Sequence, residues 1–260
     1  MTVFNWAQWV TQEYDTHTIQ TGSKVRIIEA PRPELKRLQR LLLDTLLYKL
    51  EPTEYAHGFL PGRSTVTNAQ PHVGCDWVVT ADIKDFFPSI TTAQVLDALK
   101  PLGLSAQRLA IIIELVTRDG RLPQGTPTSP HIANLVVRQM DIQLGAQKGW
   151  TYTRYADDLA FSGGDDPHHL MQEVLLVVRS CGFQLAQHKT RIMPRSQRQI
   201  VTGIVVNEKL ALPKDTRRRL RAMLHKLKKE SVGEQRGQVI NGHVAHAQSV
   251  EAGNDQHDLS

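Results

Sequence analysis

The apolar positions change period several times along the chain, and each change predicts an element. Leu35, Leu38, Leu42, Leu46 and Leu50 form one stripe of a helix over 34–50, with basic residues off the stripe. SKVRIIEAP (23–31) alternates like a strand and ends at a proline. WVVTADI (77–83) is the continuous apolar run of a buried strand, and Pro88 breaks the extended pattern after it. TTAQVLDALKPLG (91–103) and SAQRLAIIIELVTRDG (105–120) read as helices ending at glycine. HIANLVVRQMDIQLGAQ (131–147) reads as a helix after a proline, and HHLMQEVLLVVRSCG (168–182) as an amphipathic helix. TYTRYADDLAFSG (151–163) reads as strand, turn, strand; 183–193 and 198–212 are strand-like; a basic helix starts at Pro213. Residues 1–20 suggest a short helix and a connector, 57–74 and 121–130 are loop-like, and the polar end, 251–260, is expected to be a disordered tail. Helices alternate with strands, but several strands are close neighbours. That predicts an α+β fold with helices against one face of an antiparallel sheet.

Composition narrows the function classes. The 260 residues allow one large domain or two small ones. Cys75 and Cys181 lack metal-type spacing, which argues against a disulfide scaffold and suits a reducing cytosol. No basic leader with an apolar run opens the chain, and no window approaches ~20 uncharged apolar residues, so neither a signal peptide nor a membrane span is expected. The net charge of +5 is modest but unevenly placed. Arg217, Arg218, Arg219, Arg221 and Lys226 crowd the segment 213–230, beside an apolar stripe of Leu220, Met223, Leu224 and Leu227. Such a helix either packs one face and offers phosphates the other, or is a plain solvated face; the arginine density favours RNA.

Asp157 and Asp158 pose the sharpest question. Like charges side by side repel, and carboxylates are poor strand formers. A polar turn would explain them alone. If YADD is a hairpin turn, however, the two carboxylates project together, and a divalent cation removes the repulsion. Asp82, at the end of an apolar strand where a carboxylate has no packing role, supplies a third acid. Three aspartates on adjacent strand ends would hold two Mg²⁺ about 3.5–4 Å apart, one activating a hydroxyl and one neutralising a leaving pyrophosphate.

Four stretches in order resemble reverse transcriptases: VVTADIKDFFPSI, RLPQGTPTSPHIANLV, TYTRYADDLAFSG and CGFQLAQHKTRI. The resemblance runs from about residue 22 to 245. NAQPH (68–72) and VTG (201–203) further resemble short motifs of the retron subfamily. The resemblance implies a right-hand polymerase. In it 1–21 is an N-terminal helix and connector, 22–75 and 91–130 are fingers, 76–90 and 131–212 palm, and 213–250 a small helical thumb. It implies an RNA-directed DNA polymerase that copies part of a cognate noncoding RNA into multicopy single-stranded DNA. Priming is from a guanosine 2′-hydroxyl of that RNA. The implied setting is a bacterial cytoplasm and antiphage defence, with a separate effector protein as partner.

Residue roles follow from the same resemblance. Asp82, Asp157 and Asp158 would be the ligands of two Mg²⁺ ions, with Mn²⁺ as substitute, and the Ile83 carbonyl would add an oxygen. Phe87 would exclude a ribose 2′-hydroxyl and so select dNTPs. Gln124 and Gly125 would lie over the incoming nucleotide, glycine allowing close backbone approach. Lys24 and Arg26 would clamp the triphosphate from one strand face. Lys189 would protonate the leaving pyrophosphate. Arg63, Asn68, His72, Val201, Thr202 and Gly203 join the basic helix as RNA-binding candidates. The alternatives are another bacterial reverse transcriptase, of group II intron or defence type, and an RNA-binding scaffold that restrains an effector.

Overall fold

The computed structural model describes residues 6–21, 24–229 and 234–255, with side chains described for 8–20, 25–225 and 242–254. The elements are α1 (Trp6–Gln12), β1 (Tyr14–Thr21), β2 (Lys24–Pro31), α2 (Pro33–Thr45), α3 (Thr65–Ala69), β3 (Trp77–Asp82), α4 (Phe86–Ser89), α5 (Thr92–Leu99) and α6 (Ala106–Val116). They continue with α7 (Ser129–Val136), α8 (Arg138–Gly145), β4 (Trp150–Tyr155), β5 (Asp158–Gly163), α9 (Pro167–Ser180), β6 (Arg191–Pro194), β7 (Ile200–Val201), β8 (Ile204–Val205), α10 (Lys214–Lys229) and α11 (Glu234–Asp255).

An antiparallel sheet in the order β4-β5-β3-β6 is the centre of the molecule. The sequence predicts helices on one face; the sheet is covered on both. Val79, Ala81, Leu159 and Phe161 enter the main core with Leu99, Ile132 and Val174 from α5, α7 and α9. Val78, Ala160 and Met193 point the other way, into a second core with Val66 of α3, Val201 and Ile204 of the β7–β8 hairpin, and Val250 of α11. Burial on both faces is why WVV reads as unbroken rather than alternating.

Other departures have local causes. The expected connector before residue 21 is β1, which pairs along its whole length with β2. The helix expected over 131–147 starts at Ser129 and is interrupted at Val137, where φ −87° and ψ 7° leave the helical region. α6 ends at Val116, four residues before Gly120, because Arg118 and Arg121 exchange backbone hydrogen bonds around a tight turn. Residues 251–255, expected to be disordered, complete α11; Asn254 Oδ1 accepts from Leu210 N–H and its Nδ2 donates to Leu210 O. Residues 256–260 lie outside the described residues.

The tie between α3 and the sheet is polar. Thr153 donates its hydroxyl to Asn68 O at 3.1 Å, so Thr153 Oγ1 must accept from His72 Nε2–H at 2.7 Å. Ser162 then donates to His72 Nδ1 at 2.7 Å. His72 is therefore a neutral imidazole, and burial, with a smaller push from His57, lowers its pKa to about 3. The unfolded chain binds one more proton at this residue between pH 3 and its ordinary value of 6.5. Stability is thus unpenalised above that window and falls as pH drops through it. Between about pH 6.5 and pH 5, His72 should cost the fold about 2 kcal/mol. Urea unfolding at both pH values should show His72→Gln, whose amide can both accept and donate here, losing about that much less than the parent protein.

Candidate active site

The site is built at the ends of β3 and β5. Their register sets Asp82 directly opposite Asp158. Cross-strand partners share a face, with Cβ atoms roughly 4.5–5.5 Å apart, so the two carboxylates rise side by side. Tyr155 pairs with Asp158, leaving Ala156 and Asp157 as a two-residue hairpin loop. Ala156 has φ 57°, the left-handed state that such loops require at their first position. Ile83 N–H donates to Asp157 O at 2.9 Å, which ties the loop to the residue after Asp82.

Three acids this close need positive charge. Lys189 Nζ donates to Asp82 Oδ2. Burial pushes the Asp157 carboxyl up; its own backbone N–H opposes this, Asp82 raises it further, and Lys189 and Arg26 oppose again. Among the described residues no three His, Cys, Asp or Glu side chains are already gathered to hold a metal ion. The donor set nevertheless fits a hard divalent cation: Asp82 and Asp158 are one cross-strand spacing apart, Asp157 adjoins, and the destabilised charge on Asp157 is what a cation relieves.

A cavity of about 650 Å³ opens over these groups, lined by Arg26, Asp82, Phe87, Gln124, Asp157 and Lys189 among others. Ile83 also lines it. Phe87 is half-buried on its wall, 5.4 Å from the Phe86 ring and 6.1 Å from that of Phe59. Gln124 O accepts from Glu29 N–H at 2.7 Å, while Glu29 takes both Nη groups of Arg121 at 2.7 and 3.1 Å. These bonds fasten the strand that carries Arg26 to the Gln124 loop. Gly125, at φ 120°, is required by this seam: a Cβ there would sit 2.8 Å from Ile28 Cγ2 and 3.2 Å from Glu29 O.

The RNA-binding candidates separate. Asn68, His72 and Val201 are fully buried, so the expectation that they contact RNA directly is corrected: the His72 ring, the Asn68 carbonyl and the Val201 side chain tie α3 and the β7–β8 hairpin to the sheet, while the Asn68 side-chain amide is buried with no hydrogen-bond partner. Thr202 donates to Thr65 O at 3.2 Å, which leaves Gly203 as the exposed tip of VTG. Arg63 is exposed and donates to His57 Nε2 at 3.3 Å; burial and then the charges of Arg63 and Arg154 lower the His57 pKa to about 4. Arg217, Arg218, Arg219 and Arg221 are exposed along α10. The side chains of Lys24 and Lys226 lie outside the described residues.

Four residues of the site have no counterpart in the sequence reading: Gly58, Asn134, Asp141 and Arg154. Arg154 is wholly buried against Asp141, with Nε and Nη2 each 2.8 Å from a carboxylate oxygen. The available signal was an arginine at an inward position of TYTRY; nothing in the sequence names its partner. Asn134 Nδ2 donates to Gly58 O at 2.9 Å, and Gly58 lies against the loop, where a Cβ would be 2.6 Å from Ala156 N. The obstacle is backbone, so Gly58→Ala should cost about 1–3 kcal/mol in urea unfolding. Gly242→Ala, whose new Cβ meets nothing within 4 Å, should be neutral or stabilising in the same measurement.

Residues 19–206 match the family described as reverse transcriptase (RNA-dependent DNA polymerase). The chain is 41% identical to the retron Mx65 reverse transcriptase of Myxococcus xanthus over 85% of its own length and 56% of that protein's. It is 34% identical to the retron Ec86 reverse transcriptase of Escherichia coli, over 78% of this chain and 65% of the relative. It therefore spans little more than half to two thirds of these relatives. Among solved structures it is similar in fold to telomerase from Candida albicans, with a TM-score of 0.56 at 10% identity, covering 80% of this chain and 48% of that one. A foamy viral protease-reverse transcriptase is similar with a TM-score of 0.56 at 13% identity, covering 90% of this chain and 36% of that one. With its mixed helix-and-sheet architecture and this match across most of its length, the chain belongs to the reverse transcriptase family, where it is similar to retron enzymes.

Proposed function

We propose that the protein is an RNA-directed DNA polymerase of the retron kind. It extends a primer hydroxyl with deoxynucleotides along a structured RNA to which it is dedicated. The observation that carries this is the β3–β5 register: Asp82 faces Asp158, and Asp82 and Asp157 line a cavity shared with Arg26, Gln124, Phe87 and Lys189. When bound, two divalent cations, Mg²⁺ or Mn²⁺, would lower the pKa of the attacking hydroxyl and offset charge on the leaving pyrophosphate.

The chain's own groups do the rest. Asp82, Asp157 and Asp158 would hold the cations, with the Ile83 carbonyl as a further oxygen. Arg26 brings positive charge to the edge of the cavity, near enough to act on Asp157, and so suits a triphosphate; Lys24, two residues before it on β2, would serve the same clamp. Gln124 forms part of the cavity wall beside the nucleotide, on a loop held by Glu29. Phe87 narrows the cavity where a ribose 2′-hydroxyl would enter, which favours deoxynucleotides. The Lys189 ammonium is the proton source for the departing pyrophosphate oxygen.

The exposed arginines of α10, with Arg63 and Gly203, are the RNA-contact surface in this reading. Its binding should weaken steeply with salt. The likeness to retron enzymes alone supports the finer statements: priming from an RNA 2′-hydroxyl, multicopy single-stranded DNA as product, antiphage defence and a separate effector. Among the described residues no helix is long and apolar enough to cross a membrane.

The test is expression of the protein with its flanking DNA, followed by a search for a small DNA joined to RNA. A discrete band should appear and should vanish with Asp157→Asn/Asp158→Asn. Primer extension on an added RNA template without such a band would leave a polymerase that is not a retron enzyme. Absence of both from folded protein supplied with Mg²⁺ would leave an RNA-binding scaffold.

A further inference from the structure

We propose that the buried Arg154–Asp141 pair is a positioning device for the catalytic hairpin. It holds Ala156 in its left-handed state and thereby sets where Asp157 and Asp158 stand relative to Asp82. This inference rests on the reading of those three aspartates as the cation site.

The pair is built for geometry. Both residues are completely buried, and a buried ion pair adds little net stability over apolar side chains of similar volume. Its carboxylate is fully engaged instead. Asp141 accepts twice from Arg154, once from Tyr152 Oη at 2.9 Å and once from Thr53 Oγ1 at 2.7 Å. A carboxylate so tethered fixes the guanidinium plane. The remaining Arg154 nitrogen, Nη1, donates to Ala156 O at 3.0 Å and to Asn134 Oδ1 at 2.9 Å.

That target identifies the role. Ala156 is a non-glycine residue at φ 57°, a conformation that L-residues avoid and that surrounding structure must impose. Arg154 grips its carbonyl, and through Asn134 the same guanidinium anchors Gly58, whose backbone presses on Ala156 N. The residue thus held immediately precedes Asp157. No atom of Arg154 or Asp141 lines the cavity, so neither is a catalytic residue; both act through the loop.

The experiment uses the whole protein with Thr53→Val, which removes one bond to Asp141, and Asp141→Asn, which removes its charge. Mn²⁺ binding is measured by electron paramagnetic resonance without nucleic acid. Urea unfolding, amide hydrogen exchange over 150–163 and single-nucleotide insertion accompany it. Each variant should bind Mn²⁺ more weakly, Asp141→Asn by about 10-fold or more. Exchange in the loop should speed up, and kcat should fall with KM for the nucleotide little changed. Ala156→Gly, which adopts the left-handed state without strain, should restore part of the Mn²⁺ affinity lost in Asp141→Asn. Unchanged Mn²⁺ affinity and loop exchange in folded Thr53→Val and Asp141→Asn, with only the unfolding midpoint lowered, would falsify the positioning role. So would strictly additive effects of Asp141→Asn and Ala156→Gly. If the parent protein shows no Mn²⁺ binding that Asp157→Asn removes, the cation-site reading fails first, and the proposal with it.

Discussion

The pairing register of β3 with β5 is the constraint on which the site depends. A slip of one residue would turn every side chain of one strand to the opposite face. Here both faces are buried, so the register is specified twice. Val79 and Ala81 must meet Phe161 and Leu159 in one core, while Val78 must meet the second core beside Ala160. Asp82 and Asp158 are the last rung of this ladder. Their opposition is unfavourable by itself, and the apolar rungs below enforce it.

The protein treats its acids in two contrasting ways. Asp141 is sealed from water with every oxygen satisfied by Arg154, Tyr152 and Thr53. Such a network is rigid, and breaking it is costly. Asp82 and Asp157 line the cavity, Lys189 bonds Asp82, Asp158 stands across the ladder from Asp82, and burial destabilises Asp157 as an anion. One set is closed; the other is open, with a carboxylate whose charge a cation would relieve. Arg154, the partner of Asp141, stands three residues before Asp157 along β4 and its loop, which links the closed set to the open one.

The meeting of Asp82 with the Asp157–Asp158 pair was more legible in the sequence than the architecture around it. Asp82, Asp157 and Asp158 could be read because carboxylates at the ends of apolar strands conflict with local propensity, and such conflicts mark sites. The strand–turn–strand reading of 151–163 matches β4, the Ala156–Asp157 loop and β5. The second core was not legible: its residues come from α3, the β7–β8 hairpin and α11, which are far apart in sequence and individually short or polar. β1 was missed because YDTHTIQT has few apolar residues, and its pairing with β2 is what orders it. Gly125 gains a packing reason that the sequence did not show, since β2 closes against it.

The burial of Asn68, His72 and Val201 gives the two short retron-like motifs a joint meaning. α3 carries Asn68, His72 lies just beyond its end, and Val201 belongs to a hairpin that packs on α3 through Val66 and the Thr202–Thr65 bond. The end of α11 seats on the same assembly: Gly253 is close enough to Val66 and Leu210 that a Cβ would clash at 2.8 Å, and Val250 is buried beside them. His72 then links this assembly to Thr153 and Ser162, on β4 and β5, the strands of the Asp157–Asp158 hairpin. The basic helix α10 packs on α11, and α11 on α3. A continuous packed path therefore runs from the arginine-rich surface to the two strands that present Asp157 and Asp158. Both motifs lie at the joint of that path, His72 through its ring, Asn68 through its backbone carbonyl and Val201 through its apolar packing.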